Sequence, residues 1–338
     1  MKIAIVKLSA LGDIVHAMVA LQFIKQAFPQ SVIDWIVEEK FAGVLFENPD
    51  INQIFTVNIK SLKQNKSNFF KEFRQIKSFS KNNYDLVIDA QGLLKSSIIA
   101  RIISSQTVGF DKYSAREKVA ALFYAKKVSC PYDSNTIDRN VTVITQPLGL
   151  EINKEKILDK APFLFYKDWD SALGDYYSRD RANIIFVIGS TWPSRNYPKE
   201  KYLKVIKDLN AQSLIIWGGD QEKKDADWIA ERTDKAKVLP KLDFNYLKAV
   251  LAHSDLVIGN DTGPTHMAWG LNKPSITLFG PTPVSRVYQT SINKVLKSSS
   301  IVNPSKLDKK DFSIQEINEN EIIELAYLLL SKEYPQLI

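Results

Sequence analysis

Lys2-Ile-Ala-Ile-Val-Lys7 runs directly into Leu8-Ser-Ala-Leu-Gly-Asp-Ile-Val-His16. The first stretch is a short continuous apolar run, the pattern of a strand buried on both faces. The next residues form a tight turn, and from Asp13 onward the apolar spacing becomes helical. A strand that turns at once into a helix opens an α/β sheet, and such sheets bind ligands in the crevice at the carboxyl ends of their strands. Asp13 stands at that crevice. A carboxylate beside a helix start is either a working acid/base or a helix cap, and the neighbouring residues leave both readings open.

The same alternation recurs along the chain. Strand-like runs stand at residues 3–6, 32–37, 85–89 and 107–110, the last one weaker. A second set stands at 184–188, 214–217, 256–258 and 275–279. Between them, residues 14–28, 93–103, 200–209 and 245–253 have amphipathic helical spacing. Alternating strand and helix signals predict parallel βαβ units. They lapse over a polar, charged stretch near 150–182. The expected architecture is therefore two doubly wound, Rossmann-like α/β lobes with a cleft between them: residues 1–152, a linker at 153–182, and residues 183–314. A last amphipathic helix, about 315–338, is expected to pack back on the first lobe.

With 338 residues, 45% hydrophobic and 25% charged, the chain is long enough for two substantial cores. No apolar stretch approaches the roughly 20 residues of a membrane-spanning helix. Strand residues begin at once, with no charged leader or cleavage site, so no signal peptide is expected. The single cysteine, Cys130, excludes an internal disulfide framework and fits a reducing, cytoplasmic compartment. Three histidines and one cysteine are too scattered for a His- or Cys-rich metal site.

Charge is unevenly spread. Residues 1–150 carry 19 Lys and Arg against 13 Asp and Glu, while the remainder is nearly balanced. A basic first half suits an anionic partner such as a phosphorylated lipid, a membrane surface or nucleic acid; a surface set for solubility is the rival reading. Residues 60–81 hold seven basic residues and one acidic residue, interleaved with Phe69, Phe70, Phe73 and Phe79. That stretch reads as a basic arm touching a membrane or anionic acceptor, or, for most of its length, as an ordinary helix with a buried aromatic stripe. The second reading is preferred here.

Three polar loops follow strands of the second half. In Asn260-Asp-Thr-Gly-Pro-Thr-His266, Gly263 lets backbone approach a ligand and Pro264 suits a first helical turn. Thr262 and Thr265 add hydroxyls to the amides of that helix start, which makes a phosphate site, with Asp261 as a simple cap being the alternative. His266 is a hydrogen-bonding partner or a structural histidine. In Gly189-Ser-Thr-Trp-Pro-Ser-Arg195, the hydroxyls of Ser190 and Thr191 and the fork of Arg195 suit phosphate oxygens. In Trp217-Gly-Gly-Asp-Gln-Glu222, Glu222 suits a ribose diol or merely the first turn of a helix. Together the loops point to a nucleotide. Neither G-x-G-x-x-G after the first strand, nor a P-loop, nor a G-x-S-x-G elbow is present, which disfavours dinucleotide dehydrogenases, P-loop ATPases and α/β-hydrolases.

Four segments carry a resemblance: Lys7 to His16, Asp89-Ala-Gln-Gly-Leu-Leu-Lys-Ser96, Ser114-Ala-Arg-Glu117 and Asp261-Thr-Gly-Pro-Thr-His266. On these the chain resembles the heptosyltransferase family, glycosyltransferase family 9, over nearly its whole length. The segment from Gln91 to Ser96 looks more like the members that add the first heptose than those that add the second. The resemblance implies a GT-B arrangement, with acceptor on the first lobe and ADP-L-glycero-D-manno-heptose on the second. It implies inverting transfer of the heptose to a Kdo sugar of Kdo–lipid A, at the cytoplasmic face of the inner membrane. No metal, cofactor, nucleic acid or obligate protein partner is implied.

Residue by residue, Asp13 matches the family's catalytic base and Arg195 the charge-stabilising group. Ser190, Thr191, Thr262 and Gly263 match diphosphate positions, Glu222 the ribose contact and Asp261 a heptose contact, with His266 beside it. Ser9, Ala10, Gly12, Lys95, Arg116 and Arg139 fall on the acceptor side. Two positions depart from the family pattern. Arg195 replaces its usual lysine, keeping the charge with a different geometry. Leu242 stands near the adenine where related sequences often carry Met. The competing readings are a transferase acting on an already heptosylated acceptor, a nucleotide-sugar epimerase, and a non-catalytic nucleotide-sugar binder.

Overall fold

A computed structural model describes residues 1–59, 66–167 and 171–333. Twelve strands form among them, and every pairing is parallel. The first sheet holds β1 (Lys2–Val6), β2 (Val32–Glu38), β3 (Gln53–Val57), β4 (Leu86–Asp89), β5 (Thr107–Phe110) and β6 (Lys126–Val128). The second holds β7 (Asn183–Val187), β8 (Gln212–Ile216), β9 (Ala236–Val238), β10 (Leu256–Asn260), β11 (Ser275–Phe279) and β12 (Asn293–Lys297). Their orders are β3-β2-β1-β4-β5-β6 and β12-β11-β10-β7-β8-β9. Counted from its own first strand, the second sheet repeats the order of the first.

In both sheets the strand order reverses between the first and fourth strands: β1 and β4, then β7 and β10. These are the switch points where connecting helices leave to opposite faces and open a crevice. The central strands are buried along their length because helices cover both faces. Ala4, Val6, Ile36 and Val87 pack against Ile99, Ala100 and Ile103 of the Leu94–Ile103 helix. In the second sheet Phe186, Ile258 and Leu278 pack with Tyr202, Val205 and Ile206 of the Lys199–Asp208 helix.

The chain divides into two compact units, Met1–Phe165 and Tyr166–Ile338. Part of the expected linker is thus built into the first unit. Ile157, Phe163 and Leu164 are buried there, Asn48 donates to the Phe163 carbonyl at 3.0 Å, and the Ala161 amide donates to Gln22 at 3.0 Å. Within the second unit, the Tyr177 hydroxyl donates to the Val250 carbonyl at 2.8 Å.

Three further expectations need correction. The last helix, expected on the first lobe, packs as Glu319–Glu333 on the Lys199–Asp208 helix of the second unit. Ile322, Ala326, Leu329 and Leu330 complete the second core, and Lys201 pairs with Glu319 at 3.3 Å, so both apolar burial and charge hold it there. Residues 334–338 of that expected helix lie outside the described residues. The aromatic stripe of 60–81 also differs. On the Lys66–Ser78 helix, Phe69, Phe70 and Phe73 face solvent, and the buried face is Glu72 and Ile76, followed by Phe79. Residues 60–65 of that segment lie outside the described residues. The helix expected over 14–28 runs as two pieces, Leu11–Met18 and Ala20–Ala27.

Candidate active site

Asp13 lies in the Leu11–Met18 helix directly after β1, at the switch point of the first sheet. Its side chain is half-buried, and its Oδ2 accepts from the Ala10 amide across a long 3.4 Å. Ala10 is exposed and Gly12 buried. The turn is braced from the neighbouring strand: Gln91 Oε1, just past β4, accepts from the amides of Leu8 (3.0 Å) and Ser9 (3.1 Å). Lys7 is buried beneath it and donates to the Ala90 carbonyl and to Asn140, both at 2.8 Å. Gln91 belonged to a recognisable motif without a role of its own, and its role is to hold the turn that carries Asp13.

Asp89, the last residue of β4, is fully buried. It accepts from the amides of Gln91 (2.8 Å) and Gly92 (3.3 Å), from Ser96 Oγ (2.7 Å) and from the Tyr124 hydroxyl (2.7 Å). Burial pushes its pKa above the ordinary carboxylate value, more than these neutral donors pull it down. Gly92 follows at φ +68°, a left-handed conformation that suits glycine. The Gly92 carbonyl accepts from the Glu117 amide (3.2 Å), and Glu117 accepts from the Leu94 amide (2.7 Å). This docks the segment Ser114 to Glu117 beside the start of the Leu94–Ile103 helix.

The acceptor-side candidates divide accordingly. Arg116 is exposed on that docked segment. Lys95 stands at the same helix start, partly exposed, with Glu38 at 3.7 Å. Arg139, the third basic candidate, is engaged within the first unit. Its guanidinium donates to the carbonyls of Cys130 (2.9 Å), Pro131 (2.6 Å) and Ser114 (2.6 Å) and stacks against Phe110 and Tyr132. Those carbonyls occupy its fork, so Arg139 anchors the segment that bears Arg116.

At the second switch point the loops after β7 and β10 come together. Asn260 spans them: Oδ1 accepts from the Tyr197 amide (3.0 Å) and Tyr202 hydroxyl (3.1 Å), and Nδ2 donates to the Ile188 carbonyl (2.8 Å). Asp261 follows, 1% exposed. One oxygen meets His266 Nε2 (2.8 Å); the other accepts from Thr282 Oγ1 (2.7 Å) and pairs with Arg195 (3.2 Å) and Arg286 (3.6 Å). Burial would raise this carboxyl's pKa, but Arg286, Arg195 and His266 outweigh it and hold it far below the ordinary range. Asp261, expected from the resemblance to contact the heptose, is thus held by four side chains. A carboxylate this enclosed orients the arginines around it. Thr282 and Arg286 carried no signal of their own, although their loop follows a strand that was legible in the sequence.

Thr262 precedes the Gly263–Gly270 helix, whose first amides have no partner within the helix. Ser190 is half-buried, with its hydroxyl donating to the Trp192 carbonyl at 2.9 Å, and Thr191 is exposed. Glu222 accepts from the Gly218 amide at 2.6 Å and lies against Gly189, where a Cβ would land on its carboxylate. It thereby ties the loop after β8 to the loop after β7. Leu242 is half-buried in the loop before the Phe244–Ala252 helix. Among the described residues no group of three or more His, Cys, Asp or Glu is placed to hold a metal ion.

Comparison with known proteins accords with this architecture. Residues 73–320 match the glycosyltransferase family 9 (heptosyltransferase) family. The lipopolysaccharide heptosyltransferase 1 of Campylobacter coli is 36% identical, over 98% of this chain and all of its own length. That of Escherichia coli (strain K12) is 30% identical, over 83% of this chain and 88% of its own. The solved E. coli heptosyltransferase WaaC with ADP-2-deoxy-2-fluoro heptose superposes with a TM-score of 0.78 at 25% identity, covering 96% of this chain and 99% of its own. E. coli ADP-heptose lps heptosyltransferase II shares the fold, with a TM-score of 0.74 at 18% identity over 98% of this chain and all of its own. A paired set of parallel-sheet lobes, a matching family region spanning most of the chain and these relatives agree: the chain belongs to glycosyltransferase family 9, the heptosyltransferase family.

Proposed function

We propose that this protein transfers L-glycero-D-manno-heptose from ADP-heptose to the Kdo of Kdo–lipid A, with inversion at the anomeric carbon. The observation that carries the reading is the cluster after β10. Two arginines converge on one buried carboxylate beside a helix start, which gathers positive charge where the first amides of that helix also point. That is a site for a diphosphate. Ser190 and Thr191 add hydroxyls, Glu222 a ribose acceptor and Leu242 an apolar contact for the base. A solved relative is described with an ADP-heptose analogue, which supports the same donor here.

In the first unit the Asp13 carboxylate takes the proton of the acceptor hydroxyl as that oxygen attacks the anomeric carbon. The bond from that carbon to the diphosphate oxygen breaks, and ADP departs with the electron pair. Arg195, held by Asp261, and the amides at Thr262 and Gly263 stabilise the charge that grows on the diphosphate. Asp13 is suited to the role by its place at the switch point of the first sheet, on a turn that Gln91 fixes. Lys95 and Arg116 meet the acceptor's carboxylate and phosphate groups. Several relatives named heptosyltransferase 1, at 29–36% identity, favour the unheptosylated acceptor over one that already carries a heptose.

The test is to incubate the purified protein with ADP-heptose and either Kdo–lipid A or its heptosylated form. ADP release and a mass gain of one heptose on Kdo–lipid A alone support the reading. Transfer only to the heptosylated lipid would shift it to the second addition, and donor binding without ADP release would make the protein a non-catalytic binder.

A further inference from the structure

The Lys66–Ser78 helix turns the wrong face to water for an ordinary core helix. Glu72 and Ile76 point inward, and Glu72 accepts from the Asn58 amide at 3.0 Å. Outward stand Phe69, Phe70 (65% exposed) and Phe73, with the Phe69 ring stacked on Phe73 and edge-on to Phe70. Lys71, Arg74 and Lys77 are exposed on the same helix, and its sole acid is the inward Glu72. The Leu94–Ile103 helix packs against it and exposes Leu94 and Ile98, one turn apart. The turn Lys118–Phe123 packs against that helix in its turn and exposes Val119 and Leu122 (81% exposed). Residues 66–127 carry twelve Lys and Arg against five Asp and Glu, and two of the five, Glu72 and Asp89, are buried.

Three elements, each packed on the next, thus offer apolar side chains to water, and exposed cations stand beside the phenylalanines on the first of them. A protein partner is a poor match, since the centres of protein interfaces are depleted of charge. An interface where apolar groups enter and cations stay at a layer of phosphates is that of an anionic bilayer. We propose that this face docks the protein on an anionic lipid surface, with Phe69, Phe70, Phe73, Leu94, Ile98 and Leu122 entering the headgroup boundary. It rests on the acceptor reading above only for its purpose. Leu94 adjoins Lys95 in the sequence, so docking would bring the acceptor residues to the level at which a lipid-anchored sugar is presented.

The test uses the full chain and vesicles of phosphatidylglycerol with phosphatidylethanolamine that contain no saccharide lipid. The wild type is expected to co-sediment, less as salt rises, and weakly with pure phosphatidylcholine vesicles. The triple variant Phe69→Ser/Phe70→Ser/Phe73→Ser loses about tenfold or more in partitioning. The variant Lys71→Gln/Arg74→Gln/Lys77→Gln loses about tenfold at low salt and most of its salt dependence. Both retain wild-type ADP release with a deacylated, water-soluble acceptor, which also shows that they fold. Wild-type partitioning by the phenylalanine variant overturns the proposal. So does a dimer that this variant dissolves while vesicle binding stays unchanged, which would make the face a self-association surface. Absence of vesicle binding together with normal turnover sinks this inference and leaves the transferase reading standing; vesicle binding without turnover does the reverse.

Discussion

Asp89 ends β4 and Asp261 follows β10, strands that hold the same place in two sheets of the same order. Each carboxylate is buried, and each meets four partners. Around Asp89 they are two amides and two hydroxyls, all neutral. Around Asp261 they are two arginines, a histidine and a hydroxyl. One topological position has thus been put to two uses. In the first unit it shapes the turn after β4, next to Gln91, which braces the start of the helix that carries Asp13. In the second it concentrates positive charge at a helix start. The pKa directions record the difference, upward for Asp89 and downward for Asp261.

The largest effect is expected from Asp261→Asn. It removes the carboxylate that the partly buried Arg195 and Arg286 share, at a cost of about 3 kcal/mol. Urea unfolding checks that figure, and calorimetry should show ADP affinity reduced as Arg195 loses its anchor. Asp89→Asn keeps the shape and most of the hydrogen bonds while removing a group whose ionised form burial disfavours, so about 1 kcal/mol is expected. Equal costs for the two would break the contrast.

Stability measured against pH sharpens it. Because Asp261 is held low in the fold, its stabilisation is present above the ordinary carboxylate pKa and fades only as pH falls below that value. Asp89 is raised, so what it contributes is present in acid and is lost as pH rises from the ordinary value through the folded one. Asp261→Asn should therefore flatten the acid limb of the stability profile, and Asp89→Asn should flatten an opposing fall at higher pH. The same sign in both variants would contradict the assignment of charged partners to one site and neutral partners to the other. The smallest effect belongs to Gln91→Ala, which frees the Leu8 and Ser9 amides at roughly 1 kcal/mol. With the Asp13 turn loosened, turnover should fall about tenfold while ADP affinity holds.

Both switch points were legible in the sequence as loops after apolar runs, but their wiring was not. The eight strand-like runs all became strands. The four strands that went unread, β3, β6, β9 and β12, are the four sheet edges. Edge strands are covered less completely: β6, β9 and β12 carry lysines (Lys126, Lys127, Lys237, Lys294, Lys297) and β3 carries Gln53 and Thr56, so none has the continuous apolar run that marks a central strand. Likewise Asp261, Thr262 and Gly263 stood out through their local motif, whereas Arg286 and Thr282 reach Asp261 across the sheet from 20 or more residues away. Arg139 was placed on the acceptor side by the resemblance, and only three-dimensional packing shows its guanidinium held by carbonyls. The phenylalanines of the Lys66–Ser78 helix misled for the opposite reason. Their spacing is that of a buried stripe, and burial is a property of what lies opposite.

The division of labour between the two units is tested most directly by Asp13→Asn, assayed for turnover with ADP-heptose and Kdo–lipid A and, separately, for donor binding. Loss of a general base is expected to lower turnover about 10²–10⁴-fold, with donor affinity unchanged because the donor loops lie in the other unit. Near-wild-type turnover would contradict the account and leave Asp13 as the cap of its helix.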